Sequence, residues 1–183
     1  MNQELNTALR EALLRRDFPE AERLLSAGAD INARLTDWWM LDDVILEPDD
    51  EPGLPRRADI VRFMLKHGAD PRLQGIEEGG PLWPACLNQD VELLRLLLEN
   101  GADPNKEGDG PEPLYEMAEF DYLFEIWELG VPEPASAEDS ASPDRYIDFL
   151  DRMAIKYGRA RPDTLRLLRK FGAKSRSEMT GDC

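Results

Sequence analysis

The chain has 183 residues, with 22 Lys or Arg against 38 Asp or Glu, so its formal net charge is -16 at pH 7. At 42% apolar residues it is long enough to bury one sizeable core. The charge argues against a phosphate-binding surface, no apolar run approaches the roughly 20 residues of a membrane span, and two cysteines make no disulfide framework.

In chain order, MNQELNTALREALLRR lacks the basic start and apolar core of a secretory leader, so a cytoplasmic protein is expected. Leu9, Ala12 and Leu13 lie on one helix face, and Phe18, Ala21, Leu24 and Leu25 on the next. The segment closes on Ser26-Ala27-Gly28-Ala29-Asp30. Arg10, Arg15, Arg16 and Arg23 supply the polar outer face that a terminal unit needs. A helix is next expected over Trp39 to Ile45, after Trp38, and another over Ala58 to Lys66. Between them EPDDEPGLPRR, with three prolines and four acids, reads as an inserted loop.

Residues 80–103 are the clearest unit. Pro81 suits a helix start, Asn88-Gln89 a turn, and Val91, Leu94, Leu97 and Leu98 one buried face of a second helix that Gly101 ends. A fourth unit keeps Glu112-Pro113-Leu114-Tyr115 at its opening and closes early on Gly130, which demands a tight turn between two helices. From Glu107 through Asp144 there are twelve acids and no Lys or Arg. PEPASAEDSASP then has the composition of a loop. Beyond it the chain turns basic, and Pro143 to Tyr157 and Pro162 to Lys170 fit two further helices that close on Gly172.

The closing phrase thus recurs at Gly28, Gly68, Gly101, Gly130 and Gly172, spaced 40, 33, 29 and 42 residues apart, around the period of about 33 of one repeat class. Gly80-Pro81-Leu82-Trp83-Pro84-Ala85 matches that class's opening, T-P-L-H-x-A, at Pro, Leu and Ala, and Thr7-Ala8-Leu9-Arg10-Glu11-Ala12 stands at the same distance before its glycine. On these residues the chain resembles an ankyrin-repeat protein. The resemblance implies an all-α solenoid of stacked helix-turn-helix units in one domain, 1–183, with repeats at 5–33, 34–73, 74–106, 107–135 and 136–174 and a tail at 175–183. The second repeat carries the insertion, the fourth is shortened and the fifth diverged. Trp83 replaces the family's histidine; the sole histidine, His67, has no partner at metal-ligand spacing and reads as a surface residue. Cys86 falls at a small core position and Cys183 at the tail.

A search for chemistry finds no GxGxxG, Walker loop, HExxH, GxSxG or CxxC. Glu47 to Glu51 offers oxygen ligands without EF-hand spacing. Hence no catalytic set, cofactor or metal is expected, and neither nucleic acid nor membrane is an expected partner. The partner implied is another protein with a basic surface, met by a chain that is monomeric when free. The resemblance places fingers and first helices on a concave binding side. There Trp38 is expected as an apolar anchor, with Asp42, Glu47, Glu77, Asp109, Glu116 and Glu119 as an acidic surround that speeds encounter. An acidic inhibitor or immunity-type neutraliser of a basic protein fits these features. A scaffold or adaptor is the alternative, and an enzyme of unrecognised type a third reading.

Overall fold

The computed structural model describes residues 2–35, 37–46, 56–73, 80–106 and 112–181, which form α-helices joined by turns and contain no β-strand. In chain order the helices are α1 Asn2–Leu14, α2 Phe18–Ser26, α3 Met40–Leu46, α4 Arg57–Lys66, α5 Leu82–Leu87, α6 Val91–Glu99, α7 Leu114–Trp127, α8 Pro143–Tyr157, α9 Asp163–Lys170 and α10 Arg176–Thr180.

Two of the second helices, α2 and α6, start where a side chain can take up free backbone donors. Asp17 accepts from the Glu20 amide at 3.1 Å to open α2, and Asp90 accepts from the Leu93 amide at 2.9 Å to open α6. The buried faces of α2, α4, α6 and α9 supply Leu24, Met64, Leu97 and Leu168 to one continuous core. Helices this short are marginal alone, so the core between them is what holds each in place. After the closing glycines Asp30, Asp70 and Asp103 each accept from the backbone amide two residues on, at 2.9–3.0 Å, which fixes the same turn three times. Between the first two units Arg34 and Trp39 form a short antiparallel bridge, the base of a hairpin.

Helix α1 packs on α2, α3 on α4, α5 on α6 and α7 on α9. Sideways, α1, α3, α5 and α7 follow one another in contact, as do α4, α6 and α9. Phe18 stacked on Phe63 at 4.9 Å joins α2 to α4, and His67 lies over Phe63 at 4.2 Å in that seam, not out on the surface.

Four expectations are corrected here. The segment from Leu114 to Trp127 is one 14-residue helix, with no turn inside it. Gly130 does not close a unit: φ is positive at Glu128 (50°) and Leu129 (60°), whereas Gly28, Gly68, Gly101 and Gly172 share φ of 86–96°. The partner of α7 is α9, so residues 128–162, with α8 inside, form an insertion between the halves of a fourth helix pair instead of completing a fourth unit and starting a fifth. Finally, Arg10 faces α3, where it holds Asp43 at 3.0 Å, and does not decorate the outer side.

The insertion is tied down by ion pairs. Arg161 grips Asp151 through two bonds of 2.6 and 2.7 Å, and Arg166 spans Asp148 and Asp151. Arg169 sits at the junction of three helices: it reaches Asp144 of α8 and Glu178 of α10, donates to the Ala173 carbonyl, and lies 5.6 Å from the Tyr115 ring of α7. Of these carboxylates only Asp144 belongs to the acidic stretch, which is answered further by Arg145 on Glu138, Arg152 on Asp139 and Lys156 on Glu133.

Candidate functional site

Because α5 is only six residues long and α7 is fourteen, the longer helix overhangs its neighbour and leaves a groove between them. It is lined by Trp83, Leu87, Glu112, Glu116, Met117, Phe120 and Asp121, with a cavity volume of about 480 Å³. Its floor is apolar and open. Phe120 is 57% exposed and Leu87 42%, and Phe124, one turn beyond Phe120 with ring centroids 6.3 Å apart, is 52% exposed. Exposure of large apolar side chains in a cluster, rather than singly, is the mark of an interaction surface.

The rim is acidic. Glu112, Glu116 and Asp121 are its charged lining residues. Arg176 of α10 meets two of them: its guanidinium stands 2.8 Å from Glu112, and its backbone amide donates to Glu116 at 2.7 Å. Asp121 pairs with no cation among the described residues; partial burial, and then the nearby Glu125 charge, raise its carboxyl above the usual aspartate value. Below the floor Cys86 is buried, and desolvation, with Asp121 adding to it, pushes its thiol far up, so it is packing and not a nucleophile.

Of the residues expected at a partner surface, Glu116 lines this groove. Glu119 lies one turn along α7, where it accepts from the Tyr115 hydroxyl at 2.8 Å; burial, then the Glu116 charge, raises its carboxyl. Trp38 is half-buried on the hairpin before α3. Asp42 is no part of an exposed surround. It is 1% exposed, and burial above all, opposed by a backbone hydrogen bond from Trp39 and reinforced by the Asp43 charge, pushes its pKa up to about 7. Seven-residue α3 turns inward at every position from Met40 to Ile45, which carries Asp42 into the interior with its neighbours. Glu47, Glu77 and Asp109 lie outside the described residues.

Leu87, Met117 and Phe120 are the groove residues that the sequence reading passed over, with exposed Phe124 one turn beyond, and Trp83 figured there only as the replacement for the family's histidine. The signal was present in α7 itself: Leu114, Tyr115, Met117, Ala118, Phe120, Tyr122, Leu123, Phe124, Ile126 and Trp127 supply more apolar side chains than one buried face can take.

Among the described residues no group of His, Cys, Asp and Glu is arranged to hold a metal ion, and no helix is long and apolar enough to cross a membrane. The ankyrin-repeat family model matches residues 81–109, which contain α5 and α6. No curated protein matches the chain. Ankyrin repeats mediate binding to other proteins, and the all-helical architecture described above is consistent with that match.

Proposed function

We propose that this chain is a non-catalytic protein-binding domain whose helix pairs stack as an ankyrin solenoid, and that it acts as an acidic inhibitor of a basic protein. The observation that carries the reading is the α5–α7 groove: a floor of exposed Leu87 and Phe120 beside half-buried Trp83, with acids and, among the described residues, no Lys or Arg along its lining. Apolar anchors at the centre of an interface supply most of its affinity, while charges at the rim steer the encounter and select the sign of the partner. A net charge of -16 extends the same field over the molecule. Two acidic rims repel each other, so the free protein stays monomeric and the surface is kept for a partner of opposite charge. Trp38, on the hairpin preceding α3, is a second contact in this reading.

The test is capture of partners from the native source on immobilised wild-type protein and on a Phe120→Ala, Phe124→Ala variant, eluted with 50 and 500 mM salt and identified by mass spectrometry. A basic protein held by the wild type at low salt, released at high salt and lost on the double variant supports the proposal. A partner held equally by both proteins at both salt concentrations overturns it.

A further inference from the structure

Building on the groove as the binding site, we infer that its occupant is a segment carrying a Lys or Arg beside a large apolar side chain, and that Asp121 receives the cation. Three acids line the groove, but they are not equivalent. Glu112 and Glu116 already share Arg176, whose guanidinium and backbone amide come from α10. Helix α10 is itself held by the Ser175–Glu178 capping box and by Arg169 on Glu178 at 2.6 Å, so Arg176 is presented by an anchored element. That leaves Asp121 as the groove carboxylate with no cation among the described residues, on the same helix as Phe120 and facing the same opening.

The chain therefore contains a partial imitation of its own ligand. Arg176 shows that a guanidinium is accommodated at the Glu112 end, while the apolar floor and Asp121 are still open. An incoming segment gains by placing its apolar side chain on Phe120, Leu87 and Trp83 and its cation on Asp121. A second copy of this chain is a poor occupant, because it would bring another acidic rim to the first.

The probe is a short blocked amphipathic peptide of leucine and lysine, labelled with fluorescein and read by anisotropy in 50 mM salt, with its leucine–glutamate counterpart as control. The lysine peptide is expected to bind and the glutamate peptide to fail. Asp121→Asn should weaken binding about tenfold and Glu112→Gln about twofold or less, since only the first removes an unshared charge. Arg176→Ala frees the Glu112 carboxylate and removes the guanidinium beside Glu116, whose bond from the backbone amide of residue 176 remains, and should tighten binding about threefold, while Arg159→Ala, which removes an equal charge at an exposed site outside the groove lining, should leave it unchanged. Melting curves of the Arg176→Ala protein confirm that α10 has not been lost; if it has, Arg176→Gln takes its place in the comparison. Unchanged binding by Asp121→Asn, or equal tightening by Arg159→Ala and Arg176→Ala, overturns the assignment of Asp121 and leaves net charge as the cause. No loss on Phe120→Ala overturns the groove itself, so the two failures are distinguishable.

Discussion

Asn105 reaches across 67 residues to Gly172: its side-chain amide donates to the Gly172 carbonyl at 2.8 Å, and its side-chain oxygen accepts from the Lys174 amide at 2.8 Å. Asn32 makes the same two bonds to Gly68 and Asp70, at 3.0 and 2.8 Å. Each asparagine stands four residues after its own glycine and clamps the glycine turn of the next unit. The unit that follows Gly101 in space is consequently the one closing on Gly172, and Gly130 belongs to neither.

This register separates two glycines that look alike in the sequence. Gly101 has φ of +96°, where an added Cβ is strained, while Gly130 lacks a positive φ and an added Cβ would meet only the Trp127 carbonyl at an ordinary 3.6 Å. Gly101→Ala should cost about 1 kcal/mol or more, and Gly130→Ala should be neutral or slightly stabilising. Equal losses in urea denaturation would show that Gly130 closes a unit after all.

Leu97 is fully buried on α6, which packs against α4 on one side and α9 on the other. Leu97→Ala should therefore destabilise by about 2–5 kcal/mol, the usual range for a buried leucine. An unmoved midpoint would place Leu97 outside the seam between second helices.

Asp42 makes stability depend on pH. Its folded pKa is raised to about 7 from the ordinary aspartate value of 3.8, so folding favours the protonated form. The contribution is fully present below about pH 4, fades as pH rises through 7, and is replaced by the cost of a buried carboxylate above that. Asp42→Asn should then be more stable than wild type at pH 8, by roughly 1–3 kcal/mol, with the gap shrinking toward pH 5. Chemical denaturation of both proteins at the two pH values checks this, and a pH-independent gap would show that Asp42 does not titrate in this window.

Phe120 is more than half exposed, and its removal should separate binding from stability. Phe120→Ala should change unfolding free energy by only about 0.5 kcal/mol, yet cost on the order of 2 kcal/mol in affinity for a partner that uses the groove. A large stability loss would mean that the ring supports the core.

Much of this architecture was legible in the sequence because its determinants are local. The periodic leucines of α6 and the bounds of α8 both follow from side chains within one or two turns. Gly130 was misleading for the opposite reason: Glu128-Leu129-Gly130 repeats the letters of a closing phrase, while backbone torsion there is set by where α7 ends. Asp42 is buried by the inward turn of a whole short helix, a tertiary fact that its charge conceals. That Phe120 and Phe124 are the α7 side chains left exposed was not legible, because sequence periodicity reports which side chains share a face and not whether a neighbouring helix is long enough to cover it.

The separation of α7 from α9 by the 128–162 segment also orders events in time. Helices α1 and α2, or α5 and α6, are joined by turns of a few residues and can pair as soon as both are formed. The last pair must close a much longer loop, which costs entropy before any of its contacts are made and slows the step. During synthesis α7 emerges with its aromatic side chains well before α9 exists to pair with it, so the clamp from Asn105 on the Gly172 turn can close only after that last helix pair has met.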